Sequence, residues 1–333
     1  MWMLWAVLLP MVSGGVLAAW RPQSRGARQN FVLLSACLSS LCALAAVLTL
    51  RGRTPLELLS LGGALSIAFQ VDGLSCIFAV LVSLLWPLAC LYAVEYMSRE
   101  GSENRFFAFY LVSFGVTLGI AFSANVLTMY LFYELLTLAT LPLVMHHMDG
   151  KARYAGRIYL TYSMCGAALG FIAMVLMIEH GAVFFQFGGS VAVTPDKENT
   201  LRMAYILGFF GFGVKAAVFP GHKWLLRASV APTPVTALLH AVAVVKAGVF
   251  AVARITWYGF GPELLRGSWC QYLAMGAALF TIVYASSKAL RTKHLKRRLA
   301  WSTISNLSYI LLGIATLTTA GLAAGMVHLV VHA

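Results

Sequence analysis

Eleven apolar runs, separated by short polar breaks, fill almost the whole of this sequence. They lie near residues 2–20, 31–50, 71–94, 106–121, 125–145, 157–178, 203–229, 233–253, 271–288, 301–318 and 321–333. About 20 consecutive apolar residues make a helix long enough to cross the hydrocarbon core of a bilayer. The runs therefore predict an all-α polytopic membrane protein with about eleven transmembrane helices. Composition agrees: 60% of the 333 residues are hydrophobic and 11% are charged, against about 45–50% and about 25% in soluble domains. Disorder, a collagenous chain and a soluble enzyme built around one core are excluded.

The formal charge of +13 would point to nucleic acid in a soluble protein, but in a membrane protein the position of each charge matters first. The stretch 1–20 carries no charge, and Arg21, Arg25 and Arg28 follow it. A secretory signal has its cations in front, so the stretch is read as a retained first span with the N-terminus outside. Sixteen Lys and Arg then fall in inward loops, among them Arg21, Lys151, Lys223, Arg227, Lys296 and Arg297. Six fall outside: Arg51, Arg53, Lys197, Arg202, Arg254 and Arg266. The charge is a topology signal, and no nucleic acid partner is needed to explain it. The six cysteines form no C-x-x-C pair and read as inert thiols rather than a disulfide framework or zinc site.

Motifs for soluble chemistry are missing. GFFGFG, residues 208–213, lacks the strand-then-helix setting of a dinucleotide site. No Walker, HExxH or G-x-S-x-G pattern occurs, and no flavin, iron–sulfur or haem motif, so no cofactor and no metal is expected on this chain. The pairs Gly115/Gly119 and Gly166/Gly170 read as close helix packing. The seventh run is interrupted by Pro220-Gly221. Proline removes a rung of the helical ladder, and a break in a bilayer survives only against protein or a water-filled cavity. That helix is where function is sought.

Ionisable groups inside spans are expensive and each needs a reason. Glu134, Lys215 and Lys246 stand in the interiors of the fifth, seventh and eighth runs. Burial disfavours a charged amine and a nearby carboxylate restores it, so a Glu–Lys pair that opens and closes can hold and release a proton. The alternative is a static buried ion pair that fixes helix packing. Histidines supply relay candidates. His240 precedes Lys246 by six residues; His328 and His332 stand four apart on one face of the last run. A metal would need a third ligand the sequence does not offer, which leaves relay or packing roles. His222, beside the Pro-Gly break, can cap freed backbone or carry protons, and His146 and His147 read as interfacial. Asp72, near an outer helix start, reads as structural rather than as a Na+ ligand.

The segments FQVDGLSCIFAVLVS, LTMYLFYELLTLATLPLV, GVKAAVFPGHKWL, APTPVTALLHAVAVVKAGVF and LKRRLAWSTISNLSYILLG, in this order, resemble the proton-antiporter-like family. That family comprises the large antiporter-like subunits of respiratory complex I and their relatives in Mrp cation/proton antiporters and energy-converting hydrogenases. The resemblance implies a fold of about fourteen helices with two inverted five-helix repeats, each with a broken helix. Residues 1–105 would hold helices one to three, 106–253 the first complete repeat, and 271–333 the start of the second. Glu134 resembles the family's fifth-helix glutamate, Lys215 its seventh-helix lysine and Lys246 its eighth-helix lysine. His240 would serve as a relay and His328 as the eleventh-helix histidine, with His222 and His332 as weaker candidates. Two positions depart from the family pattern. Lys293-His294 replaces an acid before the L-K-R motif, and Asn306 stands where a histidine is common. Family members also continue past HLVVHA, so the sequence reads as a fragment, with a split gene as the alternative.

The resemblance implies a proton-translocating subunit of a complex I-like or hydrogenase-like membrane complex, with redox chemistry in partner subunits, in a bacterial-type cell membrane. The alternatives are a non-translocating membrane scaffold and an Mrp-type Na+/H+ antiporter subunit.

Overall fold

A computed structural model describes residues 1–20, 24–62 and 65–333; Arg21, assigned to an inward loop, lies outside the described residues. The elements in chain order are α1 (Trp2–Ala19), α2 (Arg25–Leu50), β1 (Leu56–Gly62), β2 (Leu65–Phe69), α3 (Gly73–Met97), α4 (Glu103–Phe122), α5 (Val126–Val144) and α6 (Gly150–Glu179). There follow α7 (Glu198–Gly213), α8 (Lys223–Ala228), α9 (Thr233–Ala237), the π-helical turn π1 (Leu238–Val242), α10 (Val244–Arg254) and π2 (Ile255–Phe260). The chain continues through α11 (Pro262–Leu265), α12 (Trp269–Arg291), α13 (Leu295–Ala315) and α14 (Thr319–Val331).

Every apolar run is helical. Among the described residues eight helices are long and apolar enough to cross a membrane by themselves, the composite Thr233–Phe260 included. Three runs differ for visible reasons. The break stops α7 at 16 residues, α13 opens on Lys296-Arg297-Arg298, and α14 has 13 residues. Leu34, Leu41, Leu88, Leu138 and Val283 are exposed on the outer faces of the bundle, where lipid tails replace a protein core.

At the centre stands α4, most of it buried. Trp86 of α3 stacks on Phe114 of α4 with ring centroids 4.8 Å apart. Small residues set the closest crossings. Gly115 lies against the Val7 carbonyl of α1, and Gly119 lies under the Phe132 ring. Gly166 and Gly170 of α6 face Gly211 of α7, where an added Cβ would meet the Gly170 nitrogen at 2.5 Å and the Gly166 oxygen at 2.9 Å. The paired-glycine reading holds, and its partner is a third glycine. Gly211→Ala should force two backbones apart and lower the thermal unfolding midpoint in detergent, as a loss of about 1–3 kcal/mol would; a wild-type midpoint would contradict this packing.

One element is not visible as an apolar run. Residues 51–70 read as a connection, yet β1 and β2 pair antiparallel there, with Leu56 opposite Phe69. The hairpin is tied to the start of α5: Asn125 Nδ2 donates to the Ser66 carbonyl at 2.8 Å, and the Ala68 amide donates to Thr128 Oγ1 at 3.0 Å. Asn125 also caps α5 by accepting from the Thr128 amide. A five- to seven-residue strand is too short to register in a search for twenty-residue spans.

Candidate functional site

The seventh run breaks earlier than its proline. The regular helix ends at Gly213 and closes by a Schellman turn: the Val218 amide donates to the Gly213 carbonyl at 3.1 Å and the Ala217 amide to the Val214 carbonyl at 3.0 Å. Ala217, at φ 58°, holds the left-handed position usually given to glycine. Lys215 is in the last turn before that closure. The freed backbone groups find side chains. Trp224 Nε1 donates to the Val214 carbonyl at 2.7 Å, and the Phe219 amide donates to Thr281 Oγ1 at 3.1 Å. The break is thus satisfied inside protein, as a bilayer requires. His222 does not cap backbone with its side chain; it is buried, and its ring stacks on Phe219.

Lys215 is 1% exposed. Its Nζ donates to the Tyr133 carbonyl at 2.6 Å, sits 3.2 Å from the centroid of the Tyr133 ring and lies 3.6 Å from Glu134 Oε1. At that distance lysine and glutamate form an ion pair without a hydrogen bond, and Glu134 Oε1 has no hydrogen-bond partner. The Tyr133 hydroxyl in turn donates to the Phe212 carbonyl at 2.7 Å, which pins α5 to the end of α7. Glu134 and Lys215 are therefore brought together. Tyr133 is a member of the site that sequence reasoning does not single out, because its signal is only adjacency to Glu134.

On the other side of Lys215 runs α10. Gly248 allows the approach, since a Cβ there would meet the Lys215 carbonyl carbon at 2.8 Å and Lys215 Cβ at 2.9 Å. Lys246, two residues earlier, is fully buried. Its Nζ lies 2.8 Å from Nδ1 of His332 on the last helical turn. His332 stacks with His328, whose Nε2 lies 3.1 Å from Asn306 Oδ1. The hydrogen-bond partners differ from those that sequence proximity suggests. His332, the weaker candidate, is the hydrogen-bond partner of Lys246, while His240 has its Nε2 buried without a partner. Asn306, a departure from the family pattern, is the partner of His328.

The eighth run is not a regular helix. It widens into π1 around His240, where the Ala243 amide donates to the Leu238 carbonyl at 2.9 Å, and again into π2 beyond Arg254. Such bulges recur at functional sites. A single extra residue per turn leaves no periodicity a sequence can display.

One reading needs correction. Arg254 reads from sequence as an outward loop cation, but it is fully buried. It pairs with Asp72, donates to Ser75 Oγ at 2.8 Å and lies over the rings of Tyr258, Phe250 and Phe185. Ile255–Phe260 carries no charge, so the span can be followed past Arg254 from sequence. Asp72 also caps α3, accepting from the Ser75 amide at 2.9 Å, in keeping with a structural role. His146, read as interfacial, lies just past the end of α5 and is buried there. Its Nε2 contacts the Gly101 carbonyl at 3.0 Å, and burial lowers its affinity for a proton.

Removing one partner of a buried ion pair strands the other. Arg254→Met should therefore destabilise the protein by about 3–5 kcal/mol, and adding Asp72→Asn should restore much of it. Thermal unfolding of the two single variants and the double variant measures the coupling, and additive losses would deny it.

A polytopic bundle with a protein-supported helix break, a buried amine paired with a half-buried carboxylate beside it and a second buried amine is the arrangement expected of an antiporter-like membrane protein. Comparison with known proteins agrees. Residues 123–333 match the family described as NADH:quinone oxidoreductase/Mrp antiporter, transmembrane, and residues 59–107 match the N-terminus of chain 5 of complex I. The chain belongs to the NADH:quinone oxidoreductase/Mrp antiporter family of multi-pass membrane proteins. It is 34% identical over 246 residues to a Na(+)/H(+) antiporter subunit of Alkalihalophilus pseudofirmus, covering 72% of this chain and 30% of the relative. It is 32% identical over 277 residues to a probable K(+)/H(+) antiporter subunit of Rhizobium meliloti, covering 81% and 27%. The chain thus spans about three tenths of the length of these relatives. Its fold matches a chain of the Mrp complex of a Dietzia species at TM-score 0.85 and 21% identity, covering 100% of this chain and 36% of that one. A chain of Thermus thermophilus respiratory complex I matches at TM-score 0.80 and 25% identity, covering 99% and 68%.

Proposed function

We propose that this chain is a proton-translocating antiporter-like subunit of a multisubunit membrane complex. The observation that carries the reading is the Glu134–Lys215 pair, held at 3.6 Å beside a helix break that side chains keep satisfied. Protonated Lys215 is stabilised by Glu134 and by the Tyr133 carbonyl. Widening the pair withdraws the carboxylate and favours release of the proton. The proton then passes toward Lys246, His332 and His328, with His240 and His222 as lesser contributors. Any electron transfer belongs to partner subunits, and no cofactor is needed on this chain. The membrane is a bacterial-type cell membrane with the N-terminus outside; moving Arg254 from loop to core leaves five outward loop cations against sixteen inward, which strengthens that orientation.

Between the two settings for such a subunit, cation/proton exchange is favoured over redox-driven pumping by one observation: the Alkalihalophilus and Rhizobium relatives both carry names of cation/proton antiporter subunits. Everted vesicles holding the assembled complex, with a ΔpH-sensitive dye, test both points. Added Na+ or K+ should collapse the gradient in wild type, and Glu134→Gln should slow that collapse about tenfold or more, within the range for loss of a positioned proton-transfer group. A gradient indifferent to either cation would return the redox-driven setting, and an undiminished Glu134→Gln rate would leave the scaffold reading.

A further inference from the structure

Two adjoining cavities open at the foot of the broken seventh helix. One, of about 320 Å³, includes Lys223 in its wall; the other, of about 720 Å³, includes Lys151 and Lys296. Arg227 and Arg297 line both. No carboxylate lines either cavity, and among the described residues none of these five cations is in an ion pair. An excess of cations on one side of a membrane accounts for their number. It does not account for their convergence from the start of α6, from α8 and from the start of α13 on one hollow, where like charges repel.

Two further observations point to what neutralises them. The 21-residue helix α13 has His294 at its N-cap with no side-chain hydrogen bond, and its first turn holds Lys296, Arg297 and Arg298 with no acid. Cations at a helix N-terminus oppose the macrodipole, and the amides there want acceptors. An anion seated at that end satisfies both. His222, 1% exposed with Nδ1 lacking any partner, walls the smaller cavity and offers a further polar contact. Arg227 is steadied by the Tyr154 ring, 5.7 Å from its guanidinium carbon.

We infer that the two cavities together form a binding site for an anion carrying two phosphates, gripped by Arg227 and Arg297, which line both. Their guanidinium forks match phosphate oxygens in pairs, the cavity sizes suit a ligand headgroup, and basic pockets between spanning helices are suited to acidic lipid headgroups. The same chemistry is offered by a lipid such as diphosphatidylglycerol and by a soluble diphosphate. A ligand here would clamp α8, the continuation of the broken helix, to α6 and α13.

The test is a titration of the purified full chain in detergent with diphosphatidylglycerol micelles, phosphatidylcholine micelles or inorganic pyrophosphate, read by thermal unfolding through tryptophan fluorescence. The midpoint should rise with diphosphatidylglycerol and not with phosphatidylcholine. Arg227→Gln/Arg297→Gln should raise the apparent Kd about tenfold or more, while Arg291→Gln, outside both cavities, should leave it unchanged. Arg297→Lys keeps the charge, loses the fork and should also weaken binding, which guards against a misfolded double variant. A rise with pyrophosphate as well assigns the site to phosphate from either source; a rise with diphosphatidylglycerol alone assigns it to the bilayer. No rise with either, or equal binding by wild type and the double variant, overturns the site.

Discussion

Lys215→Ala is expected to reduce proton-coupled transport by the assembled complex to background, with a lowered thermal midpoint because it strands Glu134 and empties the space of a buried side chain. The side chain is 1% exposed and has one carboxylate, at 3.6 Å, and one carbonyl, at 2.6 Å, as its charged and hydrogen-bonding company. Alanine suits the last turn of a helix, and the Schellman closure depends on backbone groups of Gly213, Val214, Ala217 and Val218, not on the lysine side chain. Lys215→Arg separates a carrier from a static ion pair. Arginine keeps the charge opposite Glu134 but does not give up its proton in proteins. A carrier role therefore predicts a folded, inactive Lys215→Arg, whereas a packing role predicts full activity. Dye-monitored transport in everted vesicles, with thermal midpoints of the same variants, decides between them.

Lys246→Leu should show a second large effect of unusual form: transport lost and stability kept or raised. Lys246 is fully buried, and its hydrogen-bond partner is the His332 imidazole at 2.8 Å rather than a carboxylate. Burying an amine without an opposite charge is costly, so an apolar residue of similar volume relieves the fold while removing the proton site. His332→Leu takes away the partner and keeps the amine. It should lower the thermal midpoint, as about 1–3 kcal/mol lost on stranding a buried polar group would, and slow transport as well. If Lys246→Leu transported like wild type, the path from Lys215 to the last helix would not run through Lys246.

These residues differ in how legible they are in the sequence. Glu134, Lys215 and Lys246 declare themselves because a charge within an apolar run violates the dominant pattern of the chain, and a violation can be read residue by residue. The Pro220-Gly221 break is equally local. Tyr133 is not distinguishable from the other aromatics of its run, because its role is a carbonyl and a ring placed under an amine 82 positions away. Arg254 is misplaced by a sequence reading because a charge near the end of a run looks like the start of a loop. The uncharged Ile255–Phe260 stretch allows the span to be followed further, but the partner that neutralises Arg254, Asp72, is 182 positions away and only the fold brings it there. His240 looks like the partner of Lys246 because it is near in sequence, but the packing of the last helix makes His332 the hydrogen-bond partner.

Hydropathy and the placement of charge thus determined by themselves that this is a helical membrane bundle, roughly where its spans lie and which charges stand inside them. The bilayer makes these properties legible, because it imposes a price on every polar group independently of its neighbours. Which buried group meets which was decided by tertiary structure alone. Partners such as Lys246 and His332, or Asp72 and Arg254, are joined by helix crossings and π-bulges whose geometry depends on side chains far apart in the chain, and no local pattern encodes them.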